Sequence, residues 1–267
     1  MPHGIGFKER KMRIVIKIGT STLTHQGGFV NIRRFESLCR VMSDIKNAGN
    51  EVILVSSGSI AMGVAKLNLG KKPDDIASKQ ACAAVGQCEL MYLYDKAFGE
   101  YHHTVAQILL TAPDLSCDDR RTKFDNTMNR LLELGALPII NENDTVATEE
   151  IEFGDNDTLA ARIAASVKAD LLVLLSDIDG LYTADPRTDS SATLISEVYQ
   201  LDEKIMSLGG GAGTSRGTGG MQTKLRAAKI ATDAGCDMII TNGERPDDLY
   251  TILDKKPIGT RFFAEKR

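Results

Sequence analysis

Short, densely apolar runs recur along this chain at Met12–Ile18, Val52–Val55, Ala136–Asn141, Leu171–Leu175 and Met238–Thr241. Val52–Val55 is apolar without alternation, as expected of a strand covered on both faces. Between the runs lie helical patterns. Asn31 is a plausible N-cap for a helix whose apolar residues Ile32, Phe35, Leu38, Cys39, Met42 and Ile45 recur at 3.6-residue spacing and stop near Ala48-Gly49. Helices are also predicted after Ser56-Ser57-Gly58, over Asp75–Tyr101 with an interruption at Gly86, over Arg120–Leu134, over Thr158–Lys168 and over Met221–Ala234. Thr104–Leu110 is a further strand candidate, and Gly259–Phe263 is expected to pair at the sheet edge. Strands alternating with helices from end to end predict an α/β fold, a mostly parallel sheet with helices on both faces.

No internal repeat, low-complexity tract or interior linker divides the 267 residues. The expectation is a dispensable N-terminal extension over residues 1–11 and a single domain over residues 12–267. Ligands on such sheets bind beyond the carboxyl ends of the strands. Every suspicious loop in this chain follows a strand.

A net charge of −4 argues against a broad nucleic-acid-binding face. The five cysteines, Cys39, Cys82, Cys88, Cys117 and Cys236, are scattered and form no CxxC, so neither a disulfide framework nor a zinc site is indicated. A reducing cytoplasm is the expected compartment. His102 and His103 are adjacent, and as partly exposed strand residues they would point to opposite faces, which disfavours shared metal ligation. No apolar run approaches the roughly 20 residues of a spanning helix, and the N-terminus lacks the apolar core of a signal peptide, so no membrane role is expected.

Four segments could carry chemistry. The first strand delivers Lys17 to a loop opening with Gly19, but the lysine precedes the glycine, the reverse of a Walker P-loop. Taken alone, this is as consistent with an ordinary strand-to-loop turn as with a phosphate site. Gly209–Lys224, GGGAGTSRGTGGMQTK, passes straight into a helix, where backbone N–H groups favour anions and Lys224 lies in the first turn. Ser56-Ser57-Gly58 is a third strand-to-helix turn, although serine and glycine are also common cap and turn residues. The acidic loop Asn141–Asp157 carries Glu149, Glu150 and Glu152 and ends Asp155-Asn156-Asp157. Its carboxylates and amides suit Mg²⁺ or a substrate ammonium, or serve merely as turn formers and helix cap. No GxSxG, HExxH or GxGxxG occurs in the required context, which disfavours hydrolase and dehydrogenase chemistry.

In order, VIKIGTSTLT, VSSGSIAMG, ASKQACAAVGQ, PIINENDTV, FGDND, SDIDGLYTADPR and GTGGMQTKL resemble the amino acid kinase family, most closely its branch acting on L-glutamate. The resemblance covers roughly Met12 to Phe263. It implies a three-layer αβα sandwich that transfers the γ-phosphoryl group of MgATP to the side-chain carboxylate of L-glutamate, the first step of proline biosynthesis. By motif match Lys17 and Lys224 would contact the phosphates, with Asp157 orienting them. Ser57, Gly58, Asp144 and Asn156 would hold glutamate. Gly19, Ser176, Asp177 and the run Thr218, Gly219, Gly220, Met221, Gln222, Thr223 and Lys224 would join Lys17 in holding ATP. Mg²⁺ would be carried mainly by the ATP phosphates, with its protein ligands undetermined.

The resemblance further implies a homo-oligomer (dimer or tetramer), proline as a feedback inhibitor and a glutamyl phosphate reductase as partner. Longer members carry a C-terminal PUA domain for which this sequence leaves no room, and Ser176 stands where threonine is common. The rival readings are a kinase of the same fold acting on N-acetylglutamate, aspartate, carbamate, a nucleoside monophosphate or an isoprenoid phosphate, and a non-catalytic nucleotide or amino-acid sensor. A phosphate acceptor would call for extra basic residues that the acidic loop does not offer.

Overall fold

The structure, a computed structural model, describes residues 11–25, 27–147, 156–210 and 220–265. The expected extension therefore lies almost wholly outside the described residues. The main sheet comprises β1 (Arg13–Ile18), β2 (Glu51–Val55), β3 (Val105–Leu110), β4 (Leu137–Glu142), β5 (Leu171–Ser176), β8 (Glu197–Val198), β9 (Asp237–Asn242) and β10 (Thr260–Phe262). A separate ribbon pairs β6 (Leu181–Tyr182) with β7 (Leu194–Ile195). The helices are α1 (Thr20–Leu23), α2 (Ile32–Asn47), α3 (Ser59–Lys66), α4 (Ile76–Gly99), α5 (Ala112–Ser116), α6 (Asp118–Glu133), α7 (Asn156–Ser166), α8 (Glu203–Ser207), α9 (Met221–Asp233) and α10 (Asp248–Leu253).

The strand order is β3-β4-β2-β1-β5-β9-β10-β8, and only the β9–β10 pairing is antiparallel. β1 sits inside the sheet, in register with β2 (Ile16 beside Leu54) and β5 (Ile16 beside Val173). Because side chains alternate along a strand, Val15, Ile53, Val55, Leu172 and Leu174 face one way and pack with Phe124 and Met128 of α6, Leu159 of α7 and Leu225 of α9. Ile14, Ile16, Val52, Leu54 and Val173 face the other way and pack with Leu38 of α2, Leu90 and Tyr94 of α4 and Leu249 of α10. Helices thus cover both faces, making the expected αβα sandwich. Chain leaving β1 and β2 passes to the second face and chain leaving β4 and β5 to the first, so a crevice opens at the carboxyl ends of these neighbours.

Asn31 caps α2 as its residue type predicts, its side chain accepting from the Arg34 N–H at 3.2 Å. Three local expectations are corrected. Gly86 does not interrupt the predicted long helix, because α4 runs unbroken through it. Its missing side chain serves close packing: a Cβ there would lie 1.8 Å from the Ser59 carbonyl oxygen of α3, and one on Gly63 would lie 1.9 Å from that of Cys82. Two helix backbones touch through these glycines. His102 and His103 lie in the turn closing α4, their N–H groups donating to the carbonyls of Gly99 and Phe98, and not on a strand. Gly259–Phe263 contributes β10, which is interior because β8 pairs on its outer side. Among the described residues no helix is long and apolar enough to cross a membrane.

Candidate active site

Lys17 shares the alternation phase of Val15, so β1 presents its ammonium on the face covered by α7 and α9. In the first turn of α7, Asp157 is 1 % exposed; in the first turn of α9, Lys224 is 6 % exposed. The three meet at the carboxyl end of the sheet. Lys17 Nζ lies 2.6 Å from Asp157 Oδ1, and Lys224 Nζ lies 2.9 Å from Asp157 Oδ2. Burial alone would push this carboxyl up, but the two ammonium groups outweigh it and hold it down at about 2. A single carboxylate therefore spaces two cations that would otherwise repel. Gly220, the N-cap of α9, contributes no side-chain cap to the helix start, the end of a helix that favours anions. Gly19 borders the same space, with a built Cβ 3.7 Å from Lys17 Nζ.

A second cluster lies at the ends of β2 and β4. Gly58 takes φ +104°, a left-handed conformation suited to glycine, and turns the chain from β2 into α3. Asn156, which opens α7 beside Asp157, donates from Nδ2 to the Ser57 hydroxyl at 2.7 Å, to the Ser56 carbonyl at 3.0 Å and to Asn141 Oδ1 at 3.3 Å. Asn141 Nδ2 donates in turn to Gln87 Oε1 of α4 at 2.8 Å. Buried Tyr94, two turns further along α4, shares a 2.9 Å hydrogen bond with Ser56 Oγ. Ser59 Oγ donates to Asp144 Oδ2 at 2.7 Å, which tethers the predicted substrate carboxylate to the first residue of α3.

Two of the sequence-derived groups are thus brought together, Lys17, Asp157 and Lys224 in one and Ser57 with Asn156 in the other, joined through consecutive residues at the start of α7. Asp144 and Gly58 flank the second group through Ser59. Ser176 ends β5, the direct neighbour of β1, Asp177 follows it, and Ser176 Oγ donates to Asp177 Oδ1 at 3.2 Å. Gly220, Met221, Gln222 and Thr223 form the cap and first turn of α9. Thr218, Gly219, Glu149, Glu150, Glu152 and Asp155 lie outside the described residues. Sequence reasoning missed Ser59, Gln87 and Tyr94 as supports of the site. The signal available was the ASKQACAAVGQ motif, in which Gln87 stands beside the packing glycine Gly86.

Chemically, two ammonium groups and a helix start at one point suit a polyanion, while a hydroxyl, a carboxamide and a carboxylate a short way along suit a small zwitterion. Among the described residues no three His, Cys, Asp or Glu side chains converge as a metal cage.

Residues 12–242 match the model of the amino acid kinase family. The chain is 54 % identical over 258 residues to a glutamate 5-kinase of Clostridium perfringens, covering 95 % of this chain and 96 % of that one. It is 53 % identical over 256 residues to a glutamate 5-kinase of Carboxydothermus hydrogenoformans, covering 96 % of this chain and 68 % of the relative. Among solved structures, carbamate kinase from Giardia lamblia bound to AMP-PNP superposes with a TM-score of 0.66 at 15 % identity, over 95 % of this chain and 98 % of that one, a likeness of fold.

Proposed function

Because this chain belongs to the amino acid kinase family, we propose that it transfers the γ-phosphoryl group of ATP to the side-chain carboxylate of L-glutamate, yielding L-glutamyl 5-phosphate and ADP, the first step of proline biosynthesis. The observation that carries the phosphoryl-transfer reading is the buried Lys17–Asp157–Lys224 cluster. The choice of glutamate is supported by the relatives' names.

Phosphoryl transfer spreads negative charge over the moving group, so the protein's task is positioning and cationic stabilisation. Lys17 and Lys224 supply the charge from opposite sides of Asp157. Asp157 holds both ammonium groups in place, and its strongly depressed pKa keeps it ionised throughout the neutral range. The acceptor carboxylate is itself ionised near neutral pH, so no general base is needed. Ser57 and Asn156 orient glutamate, Gly58 lets its backbone approach, and Asp144 receives the α-ammonium. Gly19, Ser176, Asp177 and the Thr218–Lys224 segment hold the nucleotide. Mg²⁺ enters on the phosphates as part of the MgATP substrate, in keeping with an Asp157 already committed to two lysines.

We extend the reading to residues 12–267 as one kinase domain working in the cytoplasm as a homo-oligomer. In that reading proline inhibits as a glutamate look-alike, and a glutamyl phosphate reductase consumes the labile product. The direct test is ATP-dependent acyl hydroxamate formation with hydroxylamine, comparing glutamate, aspartate and N-acetylglutamate. Product with glutamate above the other two is the expected result. Turnover of another acceptor, or nucleotide binding with no turnover, overturns it.

A further inference from the structure

The two carboxamides in the second cluster are oriented by backbone groups whose hydrogen-bonding roles leave no choice. Asn141 faces the N–H of Glu142 at 2.9 Å, a group that can only donate, so Asn141 must present Oδ1 there. Its Nδ2 is then turned to Gln87, which must present Oε1. Asn156 faces the carbonyl of Ser56 at 3.0 Å, a group that can only accept, so Asn156 presents Nδ2 there and to Ser57 Oγ. Ser57 is thereby the acceptor in that contact, and its own O–H is directed elsewhere.

From this polarity we infer that Gln87 is a positioning residue for the acceptor substrate. It fixes Asn141, which steadies Asn156, which makes the Ser57 hydroxyl a donor. A donor at that point suits an acceptor oxygen on the incoming substrate, such as that of a carboxylate. The assignment rests on the glutamate-kinase reading above. Gln87 touches no reacting atom. It is 8 % exposed, Asn141 is 2 % exposed, and both lie where a lost partner is not replaced freely by water. Helix α4 can aim this side chain reliably because Gly86, the preceding residue, seats α4 directly against the backbone of α3.

The test is steady-state kinetics on Gln87→Met, which keeps the length and removes the acceptor. The KM for glutamate is expected to rise about tenfold, with the KM for MgATP within twofold of wild type, since one buried hydrogen bond is lost on the acceptor side alone. Gln87→Glu retains an acceptor oxygen and is expected to keep the glutamate KM within threefold. An unchanged glutamate KM in Gln87→Met overturns the assignment. So does an equal rise in Gln87→Glu, or a matching rise in the MgATP KM, since either signals loosened packing. Should Gln87→Met not fold, Gln87→Ala carries the same expectation. Wild-type protein inactive on glutamate would instead reject the parent reading, so the two failures are separable.

Discussion

In the proposed mechanism, removing either ammonium from the charge cluster strips stabilisation from the moving phosphoryl group. Lys224→Ala and Lys17→Ala are each expected to lower kcat by about 10²–10³, roughly 3–4 kcal/mol, as for the loss of a preorganised electrostatic contact. Hydroxamate turnover of the folded variants measures this, and near-normal turnover removes that lysine from the mechanism. Asp157 makes a separate claim on stability. Its folded pKa of about 2 lies below its ordinary value of 3.8, so the folded state binds this proton less readily than the unfolded chain. The contribution is fully present above about pH 5 and is lost as pH falls through 3.8 toward 2. Linkage puts it on the order of 2 kcal/mol. Denaturant titrations from pH 7 to pH 3 are expected to show about half of that loss in the wild type, and a slope at acid pH no shallower in Asp157→Asn would reject it. Ordered motifs were what singled out these three residues in the sequence. Their convergence was implied by the family resemblance and not by the residues themselves, because no spacing rule brings residues 17, 157 and 224 together.

Packing of α3 on α4 turns on two glycines, and Gly86→Ala sets two opposing effects against each other. Helix propensity alone would favour alanine by about 1 kcal/mol. The new Cβ, however, would meet the Ser59 carbonyl at 1.8 Å, and that atom is backbone, so a helix must move. Overpacking of this kind costs typically 1–3 kcal/mol, and net destabilisation is expected. A thermal melt reads it as a fall of several degrees. Because Ser59 also holds Asp144, the glutamate KM should rise in the same variant. A raised melting temperature would show that α3 yields without strain. This glycine explains why one element was misread: in isolation Gly86 looks like a helix breaker, and only the neighbour against its bare Cα reveals its purpose. The central strands were read with fewer errors, since continuous apolar runs report burial on both faces by themselves. His102 and His103 fell outside that logic because the helix before them extends into a turn. The outermost strand, β8, is only two residues long and carries no period to detect.

Taken whole, the molecule joins the proposed acceptor cluster and the cation cluster through consecutive Asn156 and Asp157, so both substrates should stabilise one folded unit. At about 100 times the dissociation constant a ligand adds roughly 2.7 kcal/mol, and for a chain of this size each kcal/mol moves the melting temperature by about 2–4 °C. Saturating MgATP is therefore expected to raise it by roughly 5–11 °C. Differential scanning calorimetry checks this, and a shift under 1 °C at saturating nucleotide would argue against a preformed site. The parallel architecture was legible because strand and helix patterns alternate. The position of the site was legible only as a rule about strand ends, since the order β4-β2-β1-β5 depends on long-range pairing.

The joining of Lys17 to Lys224 through Asp157 has a consequence for synthesis on the ribosome. The first lysine leaves the exit tunnel with β1, yet its counter-ion belongs to α7 and the second cation to α9, beyond most of the sheet. A nascent chain released before residue 224 could bury apolar surface and resist proteolysis, but it would lack half of the charge proposed to grip nucleotide. Nucleotide retention on stalled chains of increasing length should thus appear abruptly, after residue 224 has emerged.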